Sequence, residues 1–302
     1  MKSSVVMTTY NGSRFMQEML DSLRNQTRKI DEVIICDDRS KDDTVEIISN
    51  YINKYNLVNW NLIVNEKNLG WEKNFLNALS KATNEVIYPC DQDDIWHLDK
   101  IEKMTSAFEN NDNIWLLVSG YHAFSENGGK MEIQNTVSTE TNDIVSKHKF
   151  DEKYYQILRP GCTMAFRREM LPLLEENWRP GTPHDAVLWT VASLLEKLYV
   201  YDGTFIEYRR HGSNASNEIN HGFKYRINAI KRTKLINEWY LKSVYFDKNK
   251  ESVVRDCIHW CDLRYKLIGD KKPLNWFKLF KYRAFYLNNK KYLGDIYYFF
   301  KK

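Results

Sequence analysis

Over the first 120 residues, short apolar runs alternate with amphipathic segments of about a dozen residues, and polar clusters follow the apolar runs. Ser4–Thr8, Val33–Cys36, Leu62–Val64, Glu85–Cys90 and Trp115–Val118 read as strands. Apolar residues at 3.6-residue spacing predict helices over Ser13–Asn25, from Ser40 to Lys54, over Gly70–Lys81 and over Leu98–Glu109. Ser13 and Ser40 stand where helix N-caps are expected. Strands alternating with helices of this length predict an α/β fold with a doubly wound, mostly parallel sheet.

In such sheets ligands bind beyond the carboxyl ends of the strands. Here those ends carry Thr8-Thr9-Tyr10-Asn11, Asp37-Asp38 and Asp91-Gln92-Asp93-Asp94. Three carboxylates in four positions repel one another unless a cation sits among them, and hard oxygen ligands suit Mg²⁺ or Mn²⁺. Asp94 can also cap the helix that follows. Thr8 and Tyr10 offer a hydroxyl and an aromatic ring to a nucleotide base. A strand-end acid such as Asp38 can accept hydrogen bonds from a base or ribose. No Gly-x-Gly-x-x-Gly or Walker loop occurs, which argues against dinucleotide and P-loop chemistry.

Further along, residues 121–160 are polar and weakly periodic, with Gly128-Gly129 as a hairpin turn. Thr163–Phe166 reads as a strand and His184–Leu195 as a helix. Tyr199–Tyr201 and Phe205–Arg209 read as an antiparallel pair turning at Asp202-Gly203. Helical patterns then cover Phe223–Phe246, Ser252–Ile268 and Trp276 onward.

Charge divides the chain. Residues 221–302 hold 20 Lys and Arg against 7 Asp and Glu, a net +13, and 19 of the 42 aromatic residues. The other residues carry a net −9. This shift predicts a boundary near Asn217–Gly222, with an α/β domain over 1–220 and a basic, aromatic helical region over 221–302. Five scattered cysteines suit buried thiols in a reducing compartment, and no apolar stretch reaches the ~18 residues of a spanning helix. Both point to a cytoplasmic protein. The basic aromatic tail suits peripheral contact with an anionic membrane surface at the inner face of the plasma membrane, or a homodimer interface. Its aromatics recur at helical spacings, which argues against nucleic-acid binding.

Taken together, VVMTTYNG, VIICDDRSKDDT, NEKNLGWEKNF, VIYPCDQDDIWHLDKIEKM and RPGCTMAFRREM resemble the family 2 glycosyltransferases, and especially the bacterial rhamnosyltransferase-like branch. The resemblance spans roughly residues 3–215. It implies a GT-A fold, a nucleotide-sugar donor (UDP- or dTDP-sugar), Mn²⁺ or Mg²⁺, inversion at the anomeric carbon, and a glycan or lipid-linked glycan acceptor in surface polysaccharide synthesis. By the same resemblance Thr8, Tyr10 and Asp38 match the base-binding positions. Lys73 matches a base or phosphate contact. Asp91 and Asp93 match an Asp-x-Asp motif, with Asp93 the direct metal ligand, and Asp185 matches the catalytic base. Arg209 and His211 match a closing segment facing the diphosphate and the metal. Ala186, after His184-Asp185, departs from bulkier relatives, and the processive Gln-x-x-Arg-Trp signature is absent. Rival readings are a sugar-1-phosphate nucleotidyltransferase, a metal-dependent phosphohydrolase and a sugar-nucleotide or glycan-binding module without catalysis. The single glycine of Tyr10-Asn11-Gly12-Ser13 weighs against the first, the lack of further His at helical spacing against the second, and the intact acid cluster with Asp185 against the third.

Overall fold

A computed structural model describes residues 1–125, 143–212 and 222–300. Gly128-Gly129 lie outside the described residues. The chain forms two compact units, residues 1–148, 158–175 and 197–214 in one and 149–157, 176–196 and 215–302 in the other. The division expected at residue 220 is a cut along the chain. Compactness divides it differently, because residues 149–157 and 176–196 pack with the C-terminal helices.

The first unit is built on strands β1 (Ser3–Thr9), β2 (Glu32–Asp37), β3 (Trp60–Val64), β4 (Val86–Cys90), β5 (Ile95–Trp96), β6 (Leu116–Ser125), β7 (Val145–Lys147), β8 (Met164–Arg167) and β9 (Leu198–Arg210). They form one sheet in the order β3-β2-β1-β4-β8-β6-β9-β5, with β7 also on β9. Helices α1 (Ser13–Arg24), α2 (Thr44–Lys54), α3 (Trp71–Leu79) and α4 (Lys100–Asn110) alternate with these strands. β1 pairs in parallel with β2 and β4, and β2 with β3. All of β1 and β4 is buried, as expected for strands covered on both faces. Val5, Met7, Val33, Ile35 and Tyr88 share one core with Met16, Met19 and Leu20 of α1. Each such side chain contributes about 1.5–3 kcal/mol by leaving water.

The sheet is mixed, and its mixing positions the site. β8 is antiparallel to both β4 and β6, and β9 is parallel to β6. β6 and β9 therefore run in the same direction as β1–β4. The exits of β1, β2, β4 and β9 reach one edge of the sheet, which carries Tyr10, Asp38, Asp91–Asp94 and His211 together.

Three local expectations are corrected. α1 begins at Ser13 itself, with Gly12 at the cap position, and the Ser13 N–H is capped from another loop by Asp42 at 3.1 Å. α2 starts at Thr44, because Ser40 instead donates its N–H and hydroxyl to Asp37 at 2.7 and 2.5 Å. Residues 198–210 form one long strand, not a hairpin. Tyr201 and Phe205 close over Gly203 with ring centroids 5.0 Å apart, and a Cβ there would meet both rings at 3.0 Å. Asp202-Gly203 thus marks a close approach inside a strand that pairs with β6 through register shifts. The two-residue β5 and three-residue β7 have no counterpart in the sequence reading.

The second unit is helical: α6 (His184–Leu194), α7 (Phe223–Tyr240), α8 (Glu251–Ile268), α9 (Leu274–Leu279) and α10 (Asn289–Phe300); α5 (Met170–Asn177) precedes them in the chain. Ile236, Tyr240, Cys257, Trp260, Cys261 and Leu267 are buried. Within this core Asp295, fully buried, accepts from Arg226 Nε at 2.8 Å, Arg264 Nε at 2.8 Å and Tyr286 Oη at 2.5 Å. All five cysteines are free and buried, as expected.

Candidate active site

The exit of β1 and the acid segment after β4 are tied together directly. Tyr10 donates its N–H to Gln92 Oε1 at 2.8 Å, and Gln92 Nε2 donates to the Tyr10 carbonyl at 3.1 Å. A Cβ on Gly12 would lie 2.3 Å from Gln92 Oε1, so the glycine makes room for this pair. Tyr10 itself projects into solvent, 42% exposed. Thr8, at the end of the same strand, is buried.

The strand-end acids of β2 do different work from one another. Asp37 is buried and accepts from Thr9 and Ser40, closing the turn. Asp38 accepts from Asn65 Nδ2 at 2.9 Å and from the N–H groups of Leu69 and Gly70 at 2.7 and 2.8 Å. Its carboxylate, at 3% exposure, shapes the loop between β3 and α3. Gly70 in that loop adopts φ 80°, a left-handed conformation that favours glycine. Lys73 stands exposed on the first turn of α3.

The acids after β4 diverge. Asp94 is buried, and desolvation together with the Asp93 and Asp91 charges pushes its carboxyl well above the usual range. Asp91, Asp94 and Cys162 place ligand-type atoms within 4.8 Å of one another. Nearby, burial lowers Lys100 to about 8, and its Nζ donates to the Cys162 carbonyl at 2.7 Å over the Trp96 ring.

Asp93 faces the end of β9. His211 Nε2 lies 2.8 Å from Asp93 Oδ2, with the side chains 5% and 13% exposed, and the His211 ring packs on Phe15 at 4.6 Å. Arg209 is turned into the protein. Its Nε donates to the Asp93 carbonyl at 2.9 Å, its N–H to Asp94 Oδ1 at 3.1 Å, and its Nη2 meets Glu18 at 2.5 Å. Its guanidinium lies over Phe15 and Phe124, at 5.1 and 4.7 Å. A carboxylate and an imidazole held this close, with Asp91 two residues away, are a donor set that fits a divalent cation such as Mn²⁺.

Asp185 belongs to the second unit, in the first turn of α6. Its Oδ1 is buried and has no hydrogen-bond partner among the described residues. Burial lowers the neighbouring His184 from its ordinary value, with the Asp185 charge opposing.

Sequence reasoning missed Gln92, Glu18 and Phe15. Gln92 lay inside the acid motif, but its bonds to Tyr10 depend on two strand ends adjacent in space. Glu18 and Phe15 are on α1, where the helical pattern marks Phe15 only as core.

The Glycosyl transferase family 2 model matches residues 4–173, more than half of the chain. An uncharacterized glycosyltransferase of Methanocaldococcus jannaschii is 28% identical over 272 residues, covering 88% of this chain and 86% of that one. The dTDP-rhamnosyl transferase RfbG of Shigella flexneri is 29% identical over 252 residues, 79% and 82% of the two chains. Among solved structures, residues 1–349 of TarS from Staphylococcus aureus, in complex with UDP-GlcNAc, superpose with a TM-score of 0.65 at 21% identity over 88% of this chain and 73% of that one. A mannosyltransferase of Pyrobaculum calidifontis with GDP-Man and Mn²⁺ gives 0.53 at 13% identity over 99% and 84%. These structural likenesses carry the GT-A fold, with its mostly parallel sheet and C-terminal helical region. No helix among the described residues is long and apolar enough to cross a membrane. With the family's sequence pattern running through the strand ends that build this site, the chain belongs to glycosyl transferase family 2 and is a nucleotide-sugar-dependent glycosyltransferase.

Proposed function

We propose that the protein is an inverting, metal-dependent hexosyl- or rhamnosyltransferase that moves a sugar from a UDP- or dTDP-linked donor to a glycan or lipid-linked glycan acceptor of the bacterial surface. The observation that carries this reading is the Asp93–His211 pair, 2.8 Å apart at the edge where the parallel strands end. Asp93 and His211 would hold Mn²⁺ or Mg²⁺, which supplies charge for the leaving diphosphate when bound. Thr8, Tyr10, Asp38, Lys73 and Asp91 serve the donor nucleotide, Asp38 through the loop at Leu69-Gly70 that it holds. Arg209 acts on the leaving group's surroundings by fixing the Asp93 backbone.

Inverting transfer needs a base that takes the acceptor hydroxyl's proton as its oxygen attacks the anomeric carbon. Asp185 is that base in this reading, and its buried, unbonded Oδ1 supports the role. A carboxylate oxygen left without a donor costs stability, and such costs recur where chemistry needs the group. The RfbG likeness supports a dTDP-sugar and the TarS likeness a UDP-sugar. Incubation with Mn²⁺ and a panel of nucleotide sugars tests this, with release of nucleoside diphosphate from one UDP- or dTDP-sugar expected. No release from any member of the panel, with or without glycan acceptors, would refute it.

The helical region supports membrane contact at the cytoplasmic face. Leu274, Phe277 and Phe280 on adjacent turns are 73%, 68% and 61% exposed, and Lys271, Lys272, Lys278 and Lys281 are interleaved with them. Exposed aromatics among lysines suit an anionic lipid surface, where a lipid-linked acceptor resides. A homodimer through the same face is the competing use of those side chains.

A further inference from the structure

A second cluster of metal-binding side chains lies in the first unit and shares no residue with the Asp93–His211 pair. His97 follows β5, His122 lies on β6 and Glu207 on β9. β9 runs between the other two strands, so the three residues come from neighbours in one sheet. Glu207 pairs in register with His122 on one side and with Ile95 on the other. His97 is fixed by its own backbone, its N–H donating to the Phe205 carbonyl at 2.9 Å.

Both imidazoles converge on one carboxylate oxygen. His97 Nε2 is 2.8 Å and His122 Nδ1 3.3 Å from Glu207 Oε1, and the three ligand-type atoms lie within 4.8 Å of one another. In tetrahedral coordination with bonds of about 2.0–2.1 Å, neighbouring ligand atoms stand roughly 3.3 Å apart. The present separations need only side-chain adjustments of an ångström or so to reach that geometry. The three side chains are each about one-third exposed, which leaves an approach from solvent and room for a water as fourth ligand.

The geometry points to a second divalent metal site at His97, His122 and Glu207, of a chemistry different from the first. Two imidazoles and one carboxylate suit Zn²⁺, whereas the acid-rich segment after β4 suits Mn²⁺ or Mg²⁺. The ion would cross-link the end of β5 to β9 and β6, and β5, only two residues long, pairs with β9 at just two positions. β5 begins one residue after Asp94, and Glu207 is two residues before Arg209 on β9. A bridge between these strands steadies the segments that carry Asp93 and His211, and it does so whichever sugar is transferred.

The test uses the full chain, stripped with chelator and titrated with Zn²⁺ by calorimetry and with Co²⁺ by visible absorption. The wild type is expected to bind an equivalent of Zn²⁺ that excess Mg²⁺ does not displace, to show the intense Co²⁺ bands of a low-coordinate site, and to melt at higher temperature with Zn²⁺. His97→Ala and His122→Ala should each weaken that equivalent more than about 10-fold, the least loss seen when even supporting groups of metal sites are removed. His122→Asn, which keeps hydrogen bonding, serves where the alanine variants fold poorly. Asp93→Ala should retain the equivalent. Zn²⁺ affinity unchanged in the histidine variants, loss of the equivalent in Asp93→Ala instead, or a wild type that takes up no Zn²⁺ would each overturn the inference.

Discussion

Arg209 holds Asp93 by its main chain: the Arg209 Nε donates to the Asp93 carbonyl at 2.9 Å while its guanidinium reaches Glu18 on α1. The backbone N–H of the same arginine secures Asp94 at 3.1 Å. One residue at the end of β9 therefore sets the segment that presents the Asp93 carboxylate to His211. A planar fork is needed to span both partners, and an ammonium cannot reproduce it.

Arg209→Lys should consequently raise the Mn²⁺ concentration needed for half-maximal turnover by about 10-fold, the lower range for loss of a supporting group at a metal site. Donor KM at saturating metal should change little. A titration of activity against Mn²⁺ checks this. A higher donor KM with an unchanged metal requirement would make Arg209 a direct diphosphate contact instead.

Asp185→Asn should lose about 10²–10⁴-fold in transfer, the usual contribution of a general base. Binding of the nucleoside diphosphate should be preserved, since the variant keeps the shape of the side chain. Single-turnover transfer and calorimetric donor binding separate the two. Transfer within a few-fold of wild type would move the base to another carboxylate.

How far the site could be read from the chain depends on the range of the contacts. Asp91–Asp94 and Asp38 stand out because each follows an apolar run that must be a buried strand, so a local pattern fixes their place at the sheet edge. The convergence of His211 on Asp93 depends on the antiparallel β8, four residues long, which sets the direction of β6 and β9. No local periodicity marks that reversal. The Asp202-Gly203 turn is replaced by continuous strand for a related reason. Its glycine serves the packing of Tyr201 on Phe205, and turn chemistry alone does not distinguish that use. Ser40 has the residue type of a cap, but it serves the Asp37 carboxylate three residues before it.

In the helical unit, Asp295 is the stability test. Burial opposes its charge, but the Arg264 and Arg226 guanidinia, with the Tyr286 hydroxyl, hold it below the usual carboxylate range. Removing one partner of a buried ion pair costs about 3–5 kcal/mol, so Asp295→Ala should destabilise by that order in denaturant unfolding. The folded pKa is depressed, so this contribution is present above the ordinary value of 3.8 and lost as pH falls through the folded value. The wild type should therefore lose stability on acidification to below about pH 4 more steeply than Asp295→Ala. Equal acid sensitivity in the two proteins would contradict the role assigned to the cluster.

The exposed face around Phe277 and Phe280 should bring the protein down with anionic liposomes at low salt. Release is expected at about 0.5 M salt, where screening is much shorter than the ~8–10 Å of physiological ionic strength. Replacing Phe277 and Phe280 with Ser should reduce co-sedimentation while sparing donor hydrolysis. Retention of the protein in the supernatant at low salt, with a dimer in light scattering, would assign the face to self-association.

Asp93, paired with His211, should make nucleotide-sugar turnover depend on a divalent cation. Release of nucleoside diphosphate, followed after EDTA treatment and Mn²⁺ re-addition, measures it in wild type and Asp93→Ala alike. Wild-type turnover should vanish in EDTA and return with Mn²⁺, and Asp93→Ala should stay inactive in both conditions while melting within a few degrees of wild type. Full wild-type turnover in excess EDTA, or an active Asp93→Ala enzyme, would contradict it.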